Sequence, residues 1–224
     1  MTFSIAARCA DTGMFGVAVS SSSPAVAARC AHVRGGVGAA LSQNVTDPRL
    51  GERLLDLMAL DASAANAVKV VSGTSPHIQY RQVLAVDGAG RAAVFSGSNA
   101  LGNVGEASGP DVASAGNLLS VDTIPRTIVE AFLASSGHLA DRLLAAMQAA
   151  VDAGGEAGPV HSAGMKLAGD VPWPIVDLRV DWTEGCPVAE LAQVWKVYAP
   201  QLDDYVTRAL DPSSAPNYGV PGDR

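Results

Sequence analysis

The sequence predicts an α+β fold in which antiparallel sheets lie in layers beneath outer helices. Strands and helices follow one another in alternating groups, and short turns rather than single crossover helices connect the strands. Hydrophobic residues make up 48% of the 224-residue chain and charged residues only 17%, below the usual quarter. Much of each strand should therefore be covered on both faces.

The chain opens with a predicted β-hairpin. Apolar residues alternate on both sides of the turn residues Asp11, Thr12 and Gly13, namely Phe3, Ile5 and Ala7, then Phe15, Val17 and Val19. Thr2 lies on the opposite face of the first strand with Ser4 and Ala6. Because this second face is small rather than charged, we expect it to be covered as well.

Similar patterns predict the remaining elements. Strands are expected at 37–43, 80–86, 91–95, 113–119, 161–167 and 175–180. Capping residues and helical spacing predict helices that begin at Asp47–Pro48 and at Asp61, and others at 124–134, 139–153 and 187–199. In the helix 124–134 we expect Ile128, Phe132 and Leu133 to face inward.

We expect residues 1–200 to form a single domain. Residues 201–224 should form a C-terminal extension, a short helix to Leu210 followed by a flexible tail, because positions 211–224 contain three prolines and two glycines.

Composition excludes several classes of partner. The net charge of −7 and the pI near 4.9 leave no basic stripe for nucleic acid. No signal peptide or run of eighteen apolar residues is present, so we expect a cytoplasmic protein with no membrane partner. Cys9, Cys30 and Cys186 are odd in number and widely spaced, which favours reduced thiols over disulfides or a metal site. No cofactor is expected.

Familiar catalytic motifs are absent from the sequence. It contains no G-x-S-x-G elbow, phosphate-binding loop or H-E-x-x-H helix. The segments 36–38 and 88–90 are weak look-alikes of dinucleotide-binding loops, since neither follows a strand and opens a helix.

Thr2 would become the N-terminal residue if Met1 were removed, as happens before small residues. Its amine and hydroxyl would then lie about 3 Å apart. A terminal amine has a pKa of about 7.7–8.0, so it could accept the hydroxyl proton directly or through one water. A second interpretation is open, in which Thr2 is only a β-branched strand residue whose small size permits trimming.

Several short segments, in order, match one known family. They are 2–8, 12–13, 16–20, 36–39 leading to Gln43, 48–51, 80–82, 96–98, 115–119 and 177–181. Over about residues 2–199, the chain resembles a bacterial family known only as a domain of unknown function and placed in the N-terminal-nucleophile (Ntn) hydrolase superfamily.

This resemblance implies a four-layer helix-sheet-sheet-helix sandwich with antiparallel sheets. It also implies that Thr2 is the nucleophile, with its amine as base, and that it attacks an amide or related C–N bond. One segment departs from the family pattern: residues 157–163 keep Ser162 and Ala163 but lack the family's arginine and glutamine. If those residues contact the ligand, the specificity of this chain differs.

Other site residues are proposed by type. Gln43, Asn44 and Asn117 follow apolar strands and could donate amide N–H groups to an oxyanion, although the asparagines also suit turns. Arg81 could bind a substrate carboxylate or form an exposed ion pair. The run 20–23, which begins with the proposed substrate-binding residue Ser20, could line the cleft or form a polar loop.

The predicted function is hydrolysis of a small-molecule amide or related C–N bond, by an amidohydrolase or deaminase that uses Thr2. The alternative is a non-catalytic ligand-binding or assembly module on the same scaffold. In either case a homodimer is expected.

Overall fold

A computed structural model describes residues 1–220 as two antiparallel sheets with helices outside them. The strands are β1 (Thr2–Arg8), β2 (Phe15–Ser21), β3 (Ala31–Arg34), β4 (Gly38–Asn44), β5 (Arg81–Asp87), β6 (Ala92–Ser96), β7 (Gly105–Gly109), β8 (Val112–Asn117), β9 (Ser162–Ala168) and β10 (Pro174–Val180). The helices are α1 (Ala27–Cys30), α2 (Arg49–Ala59), α3 (Ala64–Thr74), α4 (Ile124–Ala134), α5 (Leu139–Asp152), α6 (Pro187–Tyr198) and α7 (Leu202–Leu210), and 3₁₀ turns occupy Ile78–Tyr80 and Ala199–Gln201.

The strands form two sheets that pack face to face. The six-stranded sheet has the order β10-β9-β2-β1-β8-β7, and the four-stranded sheet has the order β3-β4-β5-β6. Helices α4, α5 and α6 cover the outer face of the larger sheet, and α2 and α3 cover the smaller one. The predicted four-layer sandwich with antiparallel sheets is confirmed.

Alternation along β1 shows how both faces of a strand are used. Phe3 and Ile5 pack towards the helices, whereas Ala6 packs into the core between the sheets. Thr2 is only 5% exposed and Ser4 is fully buried. The expectation that this second face is covered is therefore confirmed, and it accounts for the low charge content of the chain.

The sequence analysis did not predict two of the strands, β3 and β7. Each lies at the edge of its sheet, where only one neighbour supplies hydrogen bonds and the backbone pairing depends less on burial. The sequence of β7 is Gly-Glu-Ala-Ser-Gly, which shows no apolar alternation. Edge strands of this kind carry little periodic signal.

Helix predictions needed two corrections. Leu133 is 49% exposed, although Phe132 is fully buried, because consecutive helical residues point about 100° apart and only one stripe of α4 meets the sheet. Helix α3 begins after Ser63, whose side chain accepts a hydrogen bond from the Asn66 N–H at 3.2 Å, whereas Asp61 lies at a left-handed φ of 65° in the preceding turn.

Helix α7 follows the 3₁₀ turn Ala199–Gln201 and ends at Leu210. The last four residues of the predicted flexible tail, 221–224, lie outside the described residues. Within residues 1–220, no helix combines the length and hydropathy that a bilayer crossing requires.

Close packing of α2 on β3 yields a stability test. A methyl group added at Gly51 would lie 2.1 Å from Cδ2 of His32, whereas nothing lies within 4 Å of one at Gly73 in α3. We expect Gly51→Ala to destabilise the fold by about 1–3 kcal/mol through overpacking. The control Gly73→Ala should be neutral or up to about 1 kcal/mol stabilising, since alanine favours helices. Urea unfolding measures both, and equal stability of the two variants would contradict the packing argument.

Candidate active site

At one end of the sandwich, the residues that face the gap between the sheets change from apolar to polar. Six strands contribute seven such side chains, and we call them the polar cluster: Thr2 and Ser4 from β1, Ser21 from β2, Gln43 from β4, Gln82 from β5, Ser96 from β6 and Asn117 from β8. The alternation of side chains along each strand continues through this change. The polar side chains lie on the same face as the apolar residues that pack between the sheets.

Gln43 links the two sheets through hydrogen bonds. Its Oε1 accepts from Ser4 Oγ at 2.5 Å, and its Nε2 donates to Gln82 Oε1 at 3.1 Å and to the backbone carbonyl of Ala115 at 3.2 Å. Both N–H groups of this amide are therefore used. Gln43 is fully buried, and a buried amide is tolerated because its N–H groups and its oxygen are hydrogen-bonded.

Gln82 is satisfied in the same way. Its Nε2 donates to Ser96 Oγ at 2.8 Å and to the Gly116 carbonyl at 2.9 Å, and its Oε1 also accepts from Asn117 Nδ2 at 2.8 Å. Asn117 differs, because its buried Oδ1 has no hydrogen-bond partner among the described residues. A buried acceptor without a partner costs about 1–3 kcal/mol, so Asn117 has capacity that a ligand or a free amine could use.

Thr2 lies at the first position of β1 and pairs across the sheet with Asn117. Its Oγ1 donates to the carbonyl oxygen of Met1, and Ser21 Oγ donates to the same oxygen. The hydroxyl oxygens of Thr2 and Ser21 are 3.4 Å apart. In the form with Met1 attached, the nitrogen of Thr2 belongs to a peptide bond, so it has no basic lone pair.

A buried carboxylate, Glu156, lies beside this end of the sandwich. It is 5% exposed, in the loop between α5 and β9, and forms an isolated bridge with Leu119. Its Oε2 accepts from the backbone N–H of Ser22 at 3.3 Å, and its Oε1 has no partner within residues 1–220. Burial raises the pKa of this carboxyl to about 7, although the ammonium group of Met1 opposes the shift.

The structure separates the six site residues predicted from sequence into two groups. Thr2, Gln43 and Asn117 come together in the polar cluster. Asn44 and Arg81 lie at the same end of the smaller sheet but bond to loop backbone: Asn44 Nδ2 donates to the Tyr80 carbonyl at 2.6 Å, and Arg81 donates to the Val45 carbonyl.

Ser20 also lies outside the polar cluster, because its neighbour in the alternation, Ala18, packs towards the helices. Its hydroxyl donates to the Ser162 carbonyl at 3.1 Å. Of the serine run, Ser21 is the residue that reaches Thr2.

Sequence reasoning missed Ser4, Gln82 and Glu156, and it included Ser21 only as part of the run 20–23. A usable signal existed for Gln82, since it precedes the inward-facing Leu84 and Val86 by even steps. For Glu156 the signal is weaker: it is the sole charged residue in the stretch 153–160, which is otherwise small or apolar.

Gln82 offers a test of the polar cluster. Gln82→Leu keeps a similar volume but removes the acceptor of Gln43 and Asn117 and leaves the Gly116 carbonyl without its donor. We expect a loss of about 2–4 kcal/mol in the free energy of unfolding. The matched control is Gln193→Leu on the exposed face of α6. A loss no greater than that of the control would contradict the assigned hydrogen bonds.

Glu156 should make stability depend on pH. The ordinary pKa of 4.5 applies to the unfolded chain, and the folded value is about 7. Between these values the native state binds more protons, so stability falls as pH rises, by up to about 3 kcal/mol in total. In protein that retains Met1, Glu156→Gln should therefore gain stability relative to wild type between pH 5 and pH 8, as measured by urea unfolding. Glu106→Gln, which removes an exposed carboxylate, is the control. A constant difference between wild type and Glu156→Gln would refute the shift.

Comparison with solved structures places the chain among known folds. The crystal structure of protein SPO2555 from Silicibacter pomeroyi matches with a TM-score of 0.81 and 30% identity over 88% of this chain and 89% of that chain. Anbu (ancestral beta-subunit) from Yersinia bercovieri matches with a TM-score of 0.41 and 13% identity, covering 92% of this chain and 97% of its own. An Anbu Gly-1 mutant from Hyphomicrobium sp. strain MC1 matches with a TM-score of 0.44 and 10% identity, covering 90% and 96%. Scores this low support no inference about activity.

A search of curated proteins found no match. The model of a family of unknown function, DUF1028, matches residues 2–191, and the structure of SPO2555 is described as belonging to the same family. Because this match spans most of the sequence, the chain belongs to the DUF1028 family.

Proposed function

We propose that the chain is an N-terminal-nucleophile hydrolase that cleaves a small-molecule amide or related C–N bond, with Thr2 as nucleophile after removal of Met1. The observation that supports this proposal is the position of Thr2. It is the first residue of β1, is 5% exposed, and belongs to the polar cluster at the end of an otherwise apolar gap between two sheets. A merely structural threonine would not require this concentration of buried polar groups.

Removal of Met1 creates the base that the Thr2 hydroxyl needs. The new α-amine lies about 3 Å from Oγ1 by covalent geometry, and its ordinary pKa leaves a useful neutral fraction near pH 7. Ser21 and Thr2 both lose the Met1 carbonyl as acceptor, and their hydroxyl oxygens are 3.4 Å apart. Ser21 can then orient the Thr2 hydroxyl or relay its proton.

Acyl transfer follows from this arrangement. Thr2 Oγ1 attacks the substrate carbonyl carbon while its proton passes to the amine. Collapse of the tetrahedral intermediate breaks the C–N bond, and the amine returns the proton to the leaving nitrogen. Water then hydrolyses the ester on Thr2, with the same amine as base. In the deamination of an enamine or imine, the Thr2 amine would activate the water that attacks the carbon of the C–N bond.

The hydrogen bonds that Gln43 and Asn117 already make indicate different supporting roles for these two side chains. Both N–H groups of Gln43 are used, in bonds to Gln82 and Ala115. Asn117 uses one N–H in its bond to Gln82, and its Oδ1 has no partner within residues 1–220. We therefore assign the second Nδ2 N–H of Asn117 to the oxyanion, or its Oδ1 to the Thr2 amine, and Gln43 to positioning through Gln82. The homodimer expected from sequence remains part of this proposal.

Mass spectrometry with an acylating amide mimic tests the nucleophile. Protein that begins at residue 2 should gain one acyl group on Thr2, and Thr2→Ala should lose labelling by at least about a thousandfold. Thr2→Ser should keep labelling, since the hydroxyl remains. Alanine and serine are both small, so Met1 is removed from each variant, and protein with Met1 retained should stay unlabelled. Equal labelling of wild type and Thr2→Ala would contradict the proposal and favour the non-catalytic binding module.

A further inference from the structure

The proposed mechanism leaves Glu156 without a role. This carboxylate is 5% exposed, and one of its oxygens has no partner among residues 1–220. Its other oxygen accepts from the Ser22 backbone N–H at 3.3 Å, and the described residues include no lysine or arginine paired with it. A buried carboxylate is costly unless a cation or several donors satisfy it. The structure therefore leaves one buried carboxylate oxygen free to accept a hydrogen bond.

Three contacts place this acceptor next to the residue attached to Thr2. Ser22, its donor, directly follows Ser21, whose hydroxyl bonds to the Met1 carbonyl. Glu156 bridges with Leu119, two residues beyond the strand partner of Thr2. A Cβ at Gly158 would lie 3.4 Å from Cε of Met1, so the loop 156–158 forms a wall against Met1.

Met1 shows how an acyl group sits at this end of the sandwich. It is an α-aminoacyl group on the nitrogen of Thr2, and its carbonyl oxygen accepts from the Thr2 and Ser21 hydroxyls. The Met1 ammonium shows where a positive group can lie at this end of the sandwich, close to Glu156. The ammonium is near enough to lower the pKa of Glu156 against the effect of burial. Removal of Met1 takes this ammonium away and leaves the α-amine of Thr2 as the terminal amine of the chain.

We propose that Glu156 determines substrate specificity by binding the ammonium group of an α-aminoacyl substrate, so that the C–N bond cleaved belongs to an α-amino acid amide. This inference rests on the proposed function and names the substrate class of the same site. An ammonium donates up to three hydrogen bonds, and the free Oε1 of Glu156 accepts one of them. A neutral acyl group at the same place would leave the carboxylate unpaired.

Ligand binding to a protein without the nucleophile tests this proposal separately from catalysis. The Thr2→Ala protein, trimmed of Met1, is titrated calorimetrically at about pH 7.5, where carboxylate and amine are both substantially charged. The probes are L-methioninamide and its desamino analogue, 4-(methylthio)butanamide, which differ only in the amino group. We expect the aminoacyl amide to bind at least about tenfold more tightly.

Variants at position 156 then test whether Glu156 causes the preference for the aminoacyl amide. In the Thr2→Ala background, Glu156→Gln should reduce the difference between the two probes to within about twofold, Glu156→Asp should keep part of it, and Glu106→Gln should leave it unchanged. Retention of the preference by Glu156→Gln would overturn the proposal. Equal affinity for both probes would also overturn it and would indicate that Glu156 pairs with the terminal amine of the chain. The absence of saturable binding at about 10 mM would overturn it as well.

The two hypotheses fail in different experiments. Loss of the amine preference, with Thr2 still labelled by the acylating probe, would remove the substrate assignment and leave the nucleophile. A preserved preference with equal labelling of Thr2→Ala would instead describe a binding site for α-amino acid amides without catalysis by Thr2.

Discussion

The requirement that buried amides be hydrogen-bonded governs how the two sheets meet. Gln43 and Gln82 belong to the smaller sheet, yet each donates to a backbone carbonyl of β8 in the larger one, at Ala115 and Gly116 respectively. The two amides also bond to each other. Because each donor has one acceptor within reach, sliding one sheet past the other would leave several buried groups unpaired, at about 1–3 kcal/mol each. These hydrogen bonds therefore hold β1, and with it Thr2, at a fixed place in the gap.

The hydrogen-bonding groups of both glutamine side chains are paired within the protein, so the buried groups that lack partners are the ones open to a ligand. Asn117 Oδ1 and Glu156 Oε1 are both buried without partners within residues 1–220, and they approach the start of β1 from different elements. Native structures keep few such groups, and each one needs an explanation, such as a catalytic role or a bound water or ion. One is a neutral acceptor beside Thr2 and the other is a carboxylate beside Met1. The pair thus distinguishes a place for the reacting amine from a place for a substrate cation.

Alternation made most of the fold predictable and also named two members of the polar cluster. It located the hairpin of β1 and β2, and it marked Gln43 and Asn117 as polar residues at strand ends. It did not find β7, whose residues lack a periodic pattern at the sheet edge. Nor did it place Glu156, because that residue comes near Met1 from a loop more than 150 positions along the chain. Contacts of such separation depend on how the sheets stack, which local periodicity does not encode.

The segment that departs from the family pattern now has a physical consequence. Residues 157–160 include no basic side chain, and Gly158 leaves room for the end of the Met1 side chain. An arginine in this short loop would place a permanent charge near Glu156 and satisfy it within the protein. Its absence leaves the carboxylate to be neutralised by a proton or by a cation from outside the loop. Specificity for an ammonium group would thus depend on a loop that offers Glu156 no basic partner of its own.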